Sequence, residues 1–483
     1  MQKKKFPYKL LNSNVFSFKK IYRFHFTTLQ EFNEFNELYA DFKTTQNLFD
    51  MKKILIDYCK RDSLIVKNGV KSFLKVIPLI NNKKIPLSAS SIALQTAIQF
   101  YPKLRGGYST LYNEIFKMAY YGGRCEVFGN LLPNETALHF DFKGMYSSCM
   151  QEKLPLGKAI FVSEPHDFNK PGFYLINFTH FTNIPVLPIK INKKLNFFVG
   201  TMEGWFWFEE ILLAIKYGAI VNKIIAGLIF DKYEPFLNEY VSLNLSLRDQ
   251  GFAENIIGKN NINLLYGRLG MEGVDSQFLI SNLDAPINFL SSWVMNNSTI
   301  YEIKSNKIKP INLAIAAAIT SKARIKLYRG FKDVEAFGGR ILYSDTDSII
   351  AAFLKNTYRD KLDIELSSGV KFNSGTSGTV LEDAVFALPK AYSVVYRSKD
   401  NCLVQQTKIK SLRNLNNFHY KFKDAFLNNK ILVWREKSIN KYKFDIKYDE
   451  IVLKIRLNGL DKRKWINKKY FSRPINYDET SNK

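Results

Sequence analysis

Residues 339–353 read GRILYSDTDSIIAAF, and this stretch decides the fold. Apolar runs on either side of a polar knot predict strand, tight turn and strand. The knot carries Asp345 and Asp347. Two residues apart, their carboxylates would point to one face of a strand. Side by side such charges repel, and a divalent cation removes the repulsion. Carboxylate oxygens are the ligands that hard Mg²⁺ prefers, with substrate phosphates completing the octahedron. A plain polar hairpin turn accounts for the same residues, since Asp and Thr are frequent there.

Upstream, residues 135–150 read ETALHFDFKGMYSSCM. Alternation places Ala137, His139 and Asp141 on one strand face and Leu138, Phe140 and Phe142 on the other. Gly144 then permits a turn. An Asp in an apolar strand is costly unless its charge is compensated. Asp141 therefore joins Asp345 and Asp347 as a candidate for a two-metal phosphoryl-transfer site. In GKNNINLLYG, residues 258–267, helical spacing puts Lys259, Asn263 and Tyr266 on one face, with Arg248 upstream on nearly the same face. Such a stripe could hold a triphosphate and pack a ring on a base; an ordinary solvated face explains it too. In AYYGGRCEVF, residues 119–128, Gly122 and Gly123 behind Tyr120 and Tyr121 allow a close backbone approach, to a DNA strand or in a simple turn. In LPKAYSVVY, residues 388–396, Lys390 and Tyr392 would share a strand face suited to a phosphate and a sugar, or form an ordinary edge strand.

The whole chain has 483 residues, which at roughly 150 per domain predicts about three domains. Hydrophobic residues make up 46% and charged ones 24%, which excludes a wholly disordered chain. The net charge of +26 points to a polyanionic partner, most simply nucleic acid. Cys59, Cys125, Cys149 and Cys402 form no CxxC pair and the histidines are scattered, so a zinc ribbon is excluded and free core thiols are expected. The apolar stretch 211–230 is broken by Lys216, Asn222 and Lys223, and 311–320 is short of the ~20 residues a span needs, so no membrane partner is expected. The N-terminal MQKKKFPYKLL is basic without an apolar signal core. Periodicity predicts helices within 28–80 and at 203–217, 233–248, 252–267 and 311–330, and short strands over 174–200 separated by Pro185 and Pro188. The tail after 400 is basic and mixed.

Taken in order, these blocks resemble the family B DNA polymerases, and more narrowly their protein-primed branch of bacteriophages and linear mitochondrial plasmids. Tyr120-Tyr121-Gly122-Gly123 resembles the YxGG motif, DFKGMYSS from Asp141 is similar to motif A, and KNNINLLYG from Lys259 is similar to motif B. YSDTDS from Tyr343 matches motif C, and Lys390-Ala391-Tyr392 matches KxY. Tyr58 to Asp62 looks like the third exonuclease motif, and FPYKLLN at 6–12 looks like the stretch before it. The chain departs from the family at Gly144, Ser147 and Leu264, where Ser, Pro and Ser are usual.

The resemblance implies an α+β polymerase right hand of palm, fingers and thumb, with two insertions and a remnant of a 3′-5′ exonuclease domain. Its segments would be the remnant (1–85), linker and first palm segment (86–150), first insertion with neighbouring palm (151–232), and fingers (233–269). The second insertion (270–308), the palm with motif C and KxY (309–398), and thumb with basic tail (399–483) would follow. Asp141 and Asp347 would hold two Mg²⁺ ions, or Mn²⁺, with Asp345 supporting them. Tyr146 would exclude a ribose, Lys259 and Arg248 would grip the triphosphate, and Asn263 and Tyr266 would complete the base-pair pocket. Tyr120, Gly122, Gly123, Lys390 and Tyr392 would contact DNA, and Tyr58 and Asp62 would be exonuclease remnants without their upstream partners. The resemblance further implies DNA primer-template and dNTPs as partners, a terminal protein as possible primer, and a separate N-terminal exonuclease chain. With the AT-rich composition it points to a mitochondrial or plasmid replicon. Two other readings fit the same residues: a DNA-binding relic without activity, and a reverse transcriptase, whose YxDD turn resembles YSDTD.

Overall fold

The computed structural model describes residues 18–19, 29–46, 48–76, 88–104, 108–192, 194–271, 276–281, 289–295, 298–304, 312–355, 357, 370–372, 380–398, 401–410, 412, 415–439, 448–457, 462–466 and 469–479. The FPYKLLN stretch lies outside them. Two compact units are present: Met1–Ile85 with Leu247–Ile257, and Pro86–Ser246 with Gly258–Lys483.

In the first unit, β1 (Phe18–Lys19) pairs with β2 (Phe49–Asp50), between helices α1 (Leu29–Leu38) and α2 (Met51–Val76). Phe35 and Tyr39 on α1's side meet Phe49, Met51, Ile54 and Tyr58 in one small core. The i, i+4 spacing of Ile54 and Tyr58 presents both to it. The Asp50 carboxylate accepts from the Lys53 N–H at 3.1 Å and so caps α2. Tyr58 is therefore a packed side chain, and Asp62 lies one turn further along the same helix.

The second unit is built on a nine-stranded antiparallel sheet. Its strands are β3 (Cys125–Val127), β4 (Glu135–Phe142), β14 (Arg340–Asp345), β15 (Ser348–Leu354), β16 (Val370–Phe372), β17 (Leu381–Leu388), β18 (Ala391–Arg397), β19 (Leu403–Ile409) and β20 (Leu415–Asn416). The order is β20-β19-β18-β17-β4-β15-β14-β3, with β16 also on β4. Behind it runs α9 (Leu313–Ala336), begun by Asn312, whose side chain accepts from the Ile315 N–H. Ala314, Ala316, Ala317 and Ala318 are fully buried and let this helix approach closely, while Ile315, Ile319 and Phe331 supply apolar burial worth about 1.5–3 kcal/mol each. Helices α3 (Ala89–Phe100), α4 (Thr110–Ala119) and α5 (Met145–Met150) contribute to the same core.

A second sheet, ordered β5-β10-β6-β9, comprises β5 (Leu154–Ser163), β6 (Gly172–His180), β9 (Gly200–Trp207) and β10 (Ile220–Glu234), with the small hairpin β7 (Ile189–Ile191) and β8 (Lys194–Asn196) beside it in sequence. Helix α6 (Phe208–Lys216) follows β9, and α7 (Asn238–Leu247) and α8 (Phe252–Leu269) follow β10. Strands β11 (Ser276–Ser281), β12 (Phe289–Met295) and β13 (Ser298–Lys304) form a separate three-stranded sheet. After α10 (His419–Leu427) come the hairpin β21 (Ile431–Ile439) and β22 (Tyr448–Arg456), then the hairpin β23 (Arg463–Ile466) and β24 (Phe471–Pro474). This last hairpin closes the exposed edge beside β3: the Ser472 N–H donates to the Phe128 carbonyl at 3.0 Å, and the Asn130 N–H donates to Tyr470.

Helices α8 and α9, strand β4 and the β14–β15 hairpin lie where periodicity places them. Two sequence expectations are corrected. Residues 203–207 are strand, not helix, because Trp205 and Trp207 pair with Leu175 and Phe173 across β6 and β9. The aromatic run suits a pleated surface, and the helix begins only at Phe208, with Glu209 and Glu210 in its first turn. Likewise 233–234 close strand β10, and the helix predicted from 233 starts at Asn238, beyond Pro235. Of the cysteines, Cys125 and Cys149 are buried, whereas Cys59 and Cys402 are exposed. No described helix is long and apolar enough to cross a membrane.

Candidate active site

The register of β4 on β15 sets Ser348 opposite Asp141, so Asp347 arrives beside the end of β4. The Phe142 N–H donates to the Asp347 carbonyl at 2.9 Å and fixes that approach. The carboxylates of Asp141, Asp345 and Asp347 line one cleft of about 310 Å³ with His139, Lys390, Tyr392 and Lys408. Burial and then the charge of Asp347 push the Asp141 carboxyl up to about 6. Burial and the charge of Asp345 likewise raise Asp347. Two half-buried acids, each with its affinity for protons raised by burial and a neighbouring carboxylate, are a donor set that a divalent cation fits, because it relieves the repulsion that protons otherwise relieve.

Asp345 and Asp347 do not share a strand face, as their spacing predicted. Asp345 ends β14, and the chain turns at Thr346, whose φ is 64°. The Asp347 N–H donates back to the Asp345 carbonyl at 2.7 Å, closing a strained turn of the γ kind. Asp345 instead receives Lys390, whose ammonium lies 3.1 Å from both carboxylate oxygens. Against the pull of partial burial, that hydrogen bond and charge keep the lysine's pKa above its usual value. Lys390 is likewise off the strand: it occupies the β17–β18 turn with φ 63°, and its N–H donates to the Tyr343 hydroxyl. Only Tyr392 stands on β18. The described residues thus hold no cluster of three metal-ligating side chains. Asp141 and Asp347 have no ion-pair partner among the described residues; an octahedral ion held by them would take its other ligands from water and substrate oxygens.

Gly144 has φ 73° and starts α5, so the left-handed turn after β4 uses the freedom that glycine alone offers cheaply. The turn delivers Tyr146, whose ring stacks on Tyr266 with centroids 3.9 Å apart and planes 11° from parallel. Burial and then Tyr266 raise the Tyr146 hydroxyl's pKa. On α8, Ile262, Leu265 and Leu269 face the core, which leaves Lys259 and Asn263 exposed and Tyr266 half-buried on the other face. Arg248 does not extend this face, as its spacing predicted: it lies in the turn between α7 and α8, in the first unit, where its carbonyl accepts from Asn255 at 2.7 Å.

The loop 120–124 touches both constellations. A side chain at Gly270 would collide with the Tyr120 hydroxyl, so Tyr120 rests against the end of α8. Lys190 donates to the Tyr120 carbonyl. The Tyr121 ring stacks on Phe206, and Arg324 donates to the carbonyls of Tyr121 and Gly122 at 2.6 and 3.1 Å. Glu210 holds Arg324 with both carboxylate oxygens at 2.7 Å. Next to the loop, Arg124 donates to Glu126 at 2.8 Å, and Glu126 also receives Arg463 at 3.2 Å. These buried partners, and Lys408 in the cleft, escaped sequence reasoning. Arg324 is one of several cations in α9, with Lys322 and Lys326 on either side, so no sequence signal singles it out, and none marks Glu210 or Glu126 as buried.

The family model described as DNA polymerase type B, organellar and viral, matches residues 1–326. A probable DNA polymerase of Podospora anserina is 25% identical over 99% of this chain and 43% of its own length. One of Neurospora intermedia is 25% identical over 81% and 42%. The DNA-directed DNA polymerase of Enterobacteria phage PRD1 is 23% identical over 64% and 55%. The chain thus spans about two fifths of the length of these fungal relatives. Phi29 DNA polymerase, solved with primer-template DNA, is similar in fold with a TM-score of 0.62 over 85% of this chain and 73% of that one, at 16% identity.

Proposed function

The chain belongs to the organellar and viral type B DNA polymerases, and from that premise we propose that it adds dNTPs to the 3′-hydroxyl of a primer on a DNA template. Its α+β fold is of the family B polymerase kind. The observation that carries the proposal is the meeting of Asp141 and Asp347 in one cleft, with Tyr146, stacked on Tyr266, close enough for the charge of Asp347 to act on its hydroxyl.

In this reading the nine-stranded sheet is the palm, the exposed face of α8 belongs to the fingers, and the β21–β22 hairpin to the thumb. Asp141 and Asp347 would hold Mg²⁺ or Mn²⁺, whose chemistry here is activation of the primer hydroxyl and neutralisation of the pyrophosphate leaving group. Lys259 holds the triphosphate by charge-assisted hydrogen bonds. Tyr266 swings off Tyr146 to admit the base, with Asn263 beside it, and Tyr146 stays under the sugar and bars a 2′-hydroxyl. Tyr120, Gly122, Lys390 and Tyr392 contact the DNA backbone, and the net charge of +26 supplies the electrostatic attraction. Asp345 orients Lys390. A terminal protein as primer and a linear plasmid or organelle element as replicon complete the reading.

The test is extension of a recessed DNA primer by purified protein with dNTPs and Mg²⁺. Extension that Asp347→Ala abolishes, while salt-sensitive DNA binding persists, is the expected result. Undiminished extension by the variant would refute the assignment, and extension on RNA rather than DNA templates would move the chain to another enzyme class.

A further inference from the structure

We propose that Gly123 and Arg124 are positioning residues that hold Asp347 through Thr346, whereas the adjacent Gly122 is the glycine left open to DNA. The inference rests on the polymerase reading and separates two residues that the motif treats alike. A Cβ built on Gly122 meets nothing within 4 Å. A Cβ on Gly123 would lie 2.7 Å from Thr346 Cγ2, 2.9 Å from its Oγ1 and 3.1 Å from its Cβ. Neither glycine is among those with positive φ. Gly123 is therefore required for space, against the side chain that sits between the two motif C acids.

Thr346 needs that support. A β-branched residue at φ 64° is strained and persists only where its surroundings over-determine it. Its N–H donates to the Arg124 carbonyl at 2.8 Å. Arg124 is itself immobile: 3% exposed, it donates to Glu126 and, at 2.7 Å, to the Pro185 carbonyl. The pairing of Asp345 with Cys125 across β14 and β3 continues the same contact. Asp347 is the next residue, tied at its N–H to Asp345 and at its carbonyl to Phe142. Any shift of Thr346 therefore moves the Asp347 carboxylate relative to Asp141. A misplacement near 1 Å at a reacting centre costs about 10²-fold in rate.

The experiment measures single-turnover extension and DNA Kd for wild type and for Asp347→Ala, Gly122→Ala, Gly123→Ala, Thr346→Ala and the double variant Gly123→Ala/Thr346→Gly. Gly122→Ala should raise the DNA Kd. Gly123→Ala should lower the extension rate about 10²-fold with DNA Kd within roughly threefold of wild type. Thr346→Gly removes all three close atoms and tolerates φ 64°, so the double variant should regain about tenfold over Gly123→Ala. A Gly123→Ala variant that loses DNA affinity at full rate, or a double variant no faster than it, overturns the inference. If Gly123→Ala does not fold, Thr346→Ala decides, since it adds no bulk: a rate lowered about tenfold at unchanged DNA Kd supports the inference, and a wild-type rate overturns it. An inactive wild type, or an Asp347→Ala variant as fast as wild type, instead defeats the polymerase reading, and the inference falls with it.

Discussion

Arg324→Ala tests the buried scaffold under the 120–124 loop. The side chain is 5% exposed as a residue and Glu210 only 1%. The substitution deletes two hydrogen bonds to Glu210 and leaves the carbonyls of Tyr121 and Gly122 without their donor. Among the described residues Glu210 then retains the Ser321 hydroxyl at 2.7 Å. Breaking a buried ion pair from one side costs about 3–5 kcal/mol, mostly through the charge left behind. The second unit has roughly 390 residues, which at ~2.1 cal/mol/K per residue gives an unfolding entropy near 0.8 kcal/mol/K. The midpoint of thermal unfolding should therefore fall by about 5 °C. Adding Glu210→Gln removes the orphaned charge while keeping an acceptor for Ser321, so the double variant should recover roughly 1–3 kcal/mol. Calorimetry on the single and double variants checks both figures. A fall of less than about 2 °C for Arg324→Ala, or a double variant no more stable than the single, would refute the reasoning that a buried pair holds this loop.

Two further outcomes are expected. Tyr146→Val should admit ribonucleotides in primer extension, because nothing else stacked on Tyr266 would occupy the space under the sugar; unchanged sugar discrimination would remove Tyr146 from the gate. His180 is buried, its Nε2 accepts from the Leu187 N–H at 3.1 Å, and burial with nearby Arg124 lowers its pKa to about 4. The unfolded chain, with an ordinary imidazole near 6.5, binds more protons between those values. Stability should fall as pH drops from 6.5 to 4, by up to ~3 kcal/mol from this group. Urea unfolding across that range should be flatter for His180→Gln, and equal slopes in the two proteins would count against the assignment.

Much of the site was legible in the chain because its signals are local. Alternation in β4 needs only neighbouring residues, and the burial along its second half, where His139 and Asp141 are less buried than Phe140 and Phe142, follows it. The face of α8 carrying Lys259, Asn263 and Tyr266 follows from 3.6-residue periodicity alone. Periodicity erred at 203–207, where the outcome depended on an available partner strand rather than on the segment itself.

The sequence by itself determined most of the elements, their order and the presence of three acids near the ends of two strands. The tertiary structure decided which partner each motif C acid meets. Strand spacing put Asp345 with Asp347, but the turn at Thr346 divides them, sending one to Lys390 and leaving the other for Asp141. It also decided that Gly122 faces open space while Gly123 is pressed against Thr346, a distinction invisible in the letters GG. The same holds for Glu126, which is buried between Arg124 and an Arg463 that is 337 residues away. Hydropathy reads such a carboxylate as solvated, because the cost of burying a charge is offset only by a partner that the fold, and not the neighbouring sequence, brings to it.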